Sequence, residues 1–169
     1  MAWLRRIAVA ALLGSAMAHG CTPPPPTELR AHGGAEIYAK LCSSCHAPDG
    51  RSLATVAPPL AGHAVRILEA GGRGHLIQIV LNGMSGPIEV GGRKYNDMMT
   101  PLRYLKDEQV ADVLNFVVTS WGNDRLLPKD FKPFASAEIV RERQPVRSPK
   151  EMAARRPILP AIDREAPPQ

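Results

Sequence analysis

The sequence predicts an all-α domain, on two observations of pattern and one of composition. Within Lys106–Trp121, the residues Val110, Val113, Leu114, Val117, Val118 and Trp121 fall at i, i+3, i+4, i+7, i+8 and i+11, one continuous apolar stripe at helical period. No alternating apolar–polar run of strand length appears elsewhere in the 169 residues. Seventeen prolines, fourteen glycines and only 5% aromatic residues describe a loop-rich chain with few large rings for a core of this size. The length suits one ordinary domain with extensions at its ends.

The N-terminus has the pattern of an export signal over residues 1–20. Arg5 and Arg6 form a positive start, Ile7–Ala18 an apolar centre too short to span a bilayer, and Ala16-Met17-Ala18 a small-residue cleavage site. A second reading uses Ala18-His19-Gly20-Cys21, which resembles the lipobox of bacterial lipoproteins, in which the cysteine is acylated. Ala18 and His19 are not the preferred residues there, whereas Gly20 is. Residues 21–32 then read as a Pro-rich linker, with Pro23 to Pro26 an extended spacer suited to holding a domain off a membrane. Plain cleavage after Ala18 instead leaves Cys21 as a stray thiol.

The folded domain is predicted over residues 33–127. Glu36–Cys42 is helix-compatible, with Ile37 and Leu41 on one face. Residues 47–74 are rich in Gly and Pro and read as loop with short helical pieces. His75–Leu81 reads as helix because Gly83 supplies a C-terminal stop. In the long helix Asp107 and Glu108 favour the positive end of the dipole and Gly122 ends it. Ile37 and Leu41 are expected to meet Val113 and Val117 where the two helices cross. Residues 128–169 form a Pro- and Arg-rich extension, with one short helix in Ala135–Arg143 and otherwise a solvated tail as the default.

Charge narrows the function classes. The formal net charge of +5 divides into +2 for residues 1–32, −1 for residues 33–124 and +4 for residues 125–169. Nucleic-acid binding needs positive charge on a folded face, and here the excess sits in the two ends, so no nucleic-acid partner is expected.

Cys42-Ser43-Ser44-Cys45-His46 is the stretch that carries chemistry. It is C-x-x-C-H, the attachment pattern of c-type haem. Two intervening residues let one helical turn present both thiols to the vinyl groups of one porphyrin, and the adjacent histidine points its imidazole at the iron. With three Cys and five His in 169 residues, a chance match is on the order of one in a thousand. A dithiol redox pair would need a βαβ context, and zinc would need further soft ligands; the remaining cysteine, Cys21, lies in the export segment. For the second axial position the candidates are Met84, Met98, Met99, His63 and His75. A thioether suits low-spin iron and raises its potential, and Met99 follows a Gly-rich, turn-bounded segment just before the long helix.

In order along residues 33–124, the chain resembles class I c-type cytochromes, small proteins with a single haem. Gly34, Ile37-Tyr38 and the C-x-x-C-H motif resemble the first helix and haem site, and Asp49-Gly50 with Ala57-Pro58-Pro59-Leu60-Ala61-Gly62 the following loop. Val80–Ile88 and Tyr95-Asn96 resemble bacterial members, including cytochrome domains that serve nitrite reductases and quinoprotein dehydrogenases. The resemblance implies the cytochrome c fold, a few helices wrapped around one covalent haem c. It implies that the carbonyl of Pro58, twelve residues past His46, accepts the ring N–H of that ligand. It makes Met99 the distal ligand, in the register Tyr-Asn-x-x-Met, although Thr100-Pro101 follows where the family usually has Pro-Pro. His63 and His75 are then surface or loop residues, and Leu60, Leu102 and Leu105 walls of the haem pocket.

A His/Met-ligated iron has no site for substrate, so the resemblance implies a periplasmic one-electron carrier rather than an enzyme. Its partners would be redox proteins: a dehydrogenase, reductase or oxidase. Two other readings stay open: a dedicated cytochrome subunit of a periplasmic dehydrogenase or reductase complex, and a haem enzyme with a labile sixth ligand, invited only by the departure at Thr100.

Overall fold

The computed structural model describes residues 26–53 and 56–155. Residues 1–20, with the pattern of an export signal, and Cys21 lie outside the described residues. Along the chain run α1 (Pro26–Leu41), α2 (Ser43–His46), α3 (His63–Glu69), α4 (Arg73–Asn82), β1 (Ile88–Val90), β2 (Arg93–Tyr95), α5 (Asp107–Thr119), α6 (Ser136–Glu142) and α7 (Pro149–Ala154), with a 3-10 turn at Asn123–Leu126. Among the described residues the architecture is all-α apart from one hairpin.

The crossing of α1 and α5 organises the molecule. At Gly34 a Cβ would lie 2.2 Å from the Asp112 carbonyl oxygen and 2.8 Å from Phe116 Cβ, so only glycine lets the two helices approach this closely. One turn on, buried Tyr38 packs its ring against Phe116 and Trp121, with centroids 5.4 and 4.9 Å away. Ile37 packs on the core as expected, but Leu41 does not: it is 38% exposed and lies at the rim of a cleft. The stripe of α5 is buried from Val110 to Val118. The helix stops at Thr119, however, so Trp121 packs from outside it, in a left-handed conformation at φ +55°.

Three expectations change. Residues 26–32, assigned to the linker, already belong to α1. The hairpin was not anticipated. Its strands pair Ile88 with Tyr95, Glu89 with Lys94 and Val90 with Arg93 around Gly91-Gly92, whose positive φ values suit a tight two-residue turn, but three residues are too few to display an alternation. The extension is not a solvated tail up to Arg155. Phe134, Ile139 and Met152 are fully buried, and Phe134 and Ile139 join the same core as α4 and α5.

Polar contacts fix the extension. Arg73 pairs with Glu138, including a bond of 2.8 Å from Nη2 to Oε1, and its guanidinium lies 4.0 Å from the Phe134 ring centroid. Arg143 reaches Asp107 at 2.6 Å and the carbonyls of Arg103 and Leu105 at 2.9 and 2.7 Å. Ser148 and Glu151 form a reciprocal cap at the start of α7. The short helix expected near residues 135–143 is α6.

Candidate functional site

A cleft of about 300 Å3 opens between the C-x-x-C-H turn, α3, α4, α5 and the segment ahead of α5. Its walls are mostly apolar, with Leu60, Ile67, Val80, Leu102, Leu114 and Val117 among them. Leu105 is not one of them: it is buried in the core instead.

The chain enters the site from α1. The Cys42 N–H bonds to the Tyr38 carbonyl at 2.9 Å, and the His46 N–H to the Cys42 carbonyl at 2.9 Å, so α2 is a single turn continuing on from α1. That turn brings Cys42, Cys45 and His46 to one side of the cleft. Both thiols are unbridged, Cys42 half-buried and Cys45 exposed. Burial, reinforced by the neighbouring Cys45, pushes the Cys42 thiol up to about 11. A redox-active dithiol has the opposite property, a depressed pKa.

His46 is buried, and its Nδ1 lies 2.9 Å from the Pro58 carbonyl oxygen. A carbonyl only accepts, so Nδ1 carries the proton. Burial lowers the imidazole pKa, and the bond to Pro58 opposes that only in part. The ring is therefore neutral and retains an Nε2 lone pair, which is the form that ligates a metal. The loop that supplies Pro58 and Leu60 is held by Asn123, a fully buried residue with no motif to announce it. Asn123 accepts from the Gly62 N–H at 2.6 Å and donates to the Val117 carbonyl at 2.7 Å and the Leu60 carbonyl at 3.2 Å.

The candidate distal residues separate clearly. Met84 and Met99 face one another in an isolated antiparallel bridge, with Met84 N to Met99 O at 3.1 Å and Met99 N to Met84 O at 2.8 Å. Both line the cleft. Met98 is at its mouth and 64% exposed. His75 is half-buried on α4 and does not line the cleft. His63 corrects the expectation of a surface histidine: it opens α3, is 2% exposed and lines the cleft. Its placement follows from Gly62 being pinned by Asn123, a contact across 61 positions that no local pattern reveals.

The donor set fits a c-type haem. Two thiols sit at the edge of an apolar cleft, a neutral imidazole is locked through one nitrogen, and two thioethers lie within reach of the same space. This fold and site define a class I c-type cytochrome. The family model described as "Cytochrome c" matches residues 31–121, and the chain belongs to that family. It is 44% identical over 127 residues to the cytochrome c-552 of Thermus thermophilus, covering 75% of this chain and 95% of that protein. It is 37% identical over 90 residues to the cytochrome c subunit of a quinone alcohol dehydrogenase of Gluconacetobacter polyoxogenes, 53% of this chain but 19% of that protein. It is 34% identical over 119 residues to the gluconate 2-dehydrogenase cytochrome c subunit of Pantoea cypripedii, 66% of this chain and 26% of that protein. The cofactor is haem c, and the function is electron transfer.

Proposed function

We propose that the chain is a one-electron carrier whose haem is bonded to Cys42 and Cys45 and ligated by His46 and Met99. The observation that carries this reading is the His46–Pro58 contact, which leaves a neutral imidazole one free nitrogen in a cleft that Met99 also lines. When bound there, the haem supplies a reversible ferric–ferrous couple. The residues of the chain do the rest. The two cysteines hold the cofactor through repeated encounters, Pro58 fixes the ring and tautomer of His46, and the apolar walls exclude water. With both axial positions taken, no position is left for a substrate, which favours a carrier over a haem enzyme.

Haem attachment of this kind belongs outside the bacterial cytoplasm, and the pattern at residues 1–20 agrees with a periplasmic location. Lipidation of Cys21 would hold the carrier at a membrane, with the chain from Thr22 onward as its tether. The partners are redox proteins that exchange electrons in short-lived contacts. The two dehydrogenase-subunit relatives favour a dehydrogenase as donor, either as a free encounter or as a standing complex.

Methyl-13C-methionine NMR of the reduced holoprotein tests the ligand assignment. One methyl resonance displaced far from the rest by the haem is expected, and it persists in Met84→Leu and Met98→Leu. Its disappearance in either variant, or its absence from the wild type, overturns Met99 as the resident ligand. For the anchor, Cys21→Ser is expected to release the protein from the membrane fraction. Wild type already found in the soluble fraction contradicts lipidation.

A further inference from the structure

We infer that Met84 is a second thioether poised for the coordination position that Met99 fills, so that the site carries its own replacement ligand. The inference rests on the reading of Met99 as the resident ligand. It starts from the bridge: the two residues exchange both backbone bonds, at 3.1 and 2.8 Å. In such a pair the two side chains leave the backbone on the same face, with Cβ atoms roughly 5 Å apart. Both side chains reach the cleft that His46 lines, and Met84 is 7% exposed, so its thioether is directed inward.

The register that puts them together is fixed. Gly83 has φ +68°, and a Cβ there would lie 2.3 Å from the Met99 carbonyl oxygen and 2.9 Å from the Pro101 nitrogen. Leu102 N–H bonds to the Val80 carbonyl at 3.0 Å on the far side of the bridge. Asn82 accepts from Arg103 at 2.8 Å and from the Arg147 N–H at 3.2 Å, and the Ser85 N–H donates to the Pro149 carbonyl at 2.9 Å. Both limbs of the bridge are thus tied, and a one-residue slip, which would turn Met84 outward, is blocked.

Exchange of ligands would leave this backbone bridge in place. With a haem held there, the Met84 thioether would take the iron bond that the Met99 thioether gives up. Both donors are neutral thioethers, so no proton or electron moves and the charge at the iron is unchanged. A leucine would fill the same apolar wall with less rotamer entropy lost on burial. The flexible thioether is what gives the position a second capability.

The test is the thioether-to-ferric-iron charge-transfer band of the holoprotein, read in wild type, Met84→Leu, Met99→Ala and the double variant, with thermal melts to verify folding. The band is expected in wild type and in Met99→Ala, and is expected to be lost in the double variant, which then binds carbon monoxide in the ferrous state. Loss of the band in Met99→Ala alone, with wild type intact, overturns the inference and leaves Met99 as the resident ligand. Retention in the double variant also overturns it, because a third donor then serves. Loss in Met84→Leu while Met99→Ala keeps the band makes Met84 the resident ligand and overturns both readings. Absence of the band from wild type does so as well, by removing thioether ligation altogether.

Discussion

The Tyr38 hydroxyl donates a 2.6 Å hydrogen bond to the carbonyl of Ala47. Ala47 follows His46 directly and sits at φ +61°, a conformation that a residue with a Cβ adopts only when its surroundings hold it there. The tyrosine on α1 thereby secures the exit of the C-x-x-C-H turn, and burial raises its hydroxyl pKa well above the ordinary value. Tyr38→Phe keeps the ring contacts and leaves the Ala47 carbonyl without this donor. Because the Ala47 carbonyl keeps the Gly50 N–H at 3.2 Å, the expected cost is about 0.5–1.5 kcal/mol of stability with haem retained, measured by denaturant unfolding of the holoprotein. A loss within experimental error would deny the bond any part in holding the turn.

Asn123 should matter more. Its amide makes three bonds, two of them buried, that join the loop at Leu60–Gly62 to the end of α5. Asn123→Ala strands the Gly62 N–H and removes a donor from the Val117 and Leu60 carbonyls, of which Leu60 keeps the Ala64 N–H. A destabilisation of roughly 2–4 kcal/mol is expected, from the penalty for leaving buried polar groups unsatisfied. Because Pro58 lies on the same loop, the variant should also perturb the His46 ring resonances in NMR. Unchanged His46 signals would show that the loop holds its position without Asn123.

How much of this was legible in the sequence depended on how local each signal was. The helix α5 is plain because five apolar residues, Val110 to Val118, repeat along one face, and the C-x-x-C-H turn is plain because its chemistry is confined to five consecutive positions. The pairing of His46 with Pro58 was reached through family resemblance, since nothing in the intervening loop encodes it. His63 and Asn123 were not legible. Each acquires its place from a partner far along the chain, and neither has a distinctive neighbourhood in sequence. The bridge of Met84 to Met99 is of the same kind: fifteen positions separate two residues whose register depends on Gly83 meeting the carbonyl of Met99.

The prolines and charges of the extension suggest solvation, whereas Phe134, Ile139 and Met152 are fully buried. Ile139 is fully buried against the domain core. Ile139→Ala should cost about 2–5 kcal/mol, as for a residue of any interior. A solvated tail would give a change below about 0.5 kcal/mol in the same thermal or denaturant experiment.

The ion pair at the root of the extension gives that docking a pH dependence. The Arg73 guanidinium holds the Glu138 carboxyl below the usual carboxylate range. A carboxyl depressed in the folded state contributes stability above its unfolded pKa, near about 4.3, and that contribution fades as pH falls through the folded value. Wild type should therefore exceed Glu138→Gln in melting temperature at neutral pH, and the difference should shrink as the pH is lowered through about 4. A gap that stays constant down to pH 3 would mean that the carboxylate charge contributes nothing.

The proposed carrier requires a porphyrin bonded to two cysteines of one helical turn. Trypsin cleavage after Lys40 and Arg51 isolates Leu41–Arg51, which contains Cys42, Cys45 and His46. Mass spectrometry of that peptide from mature, denatured protein should find it heavier by one haem, with the addition surviving acid extraction. In the Cys42→Ser/Cys45→Ser double variant the peptide should carry nothing. An unmodified Leu41–Arg51 peptide from the mature wild-type protein would contradict the account at its base.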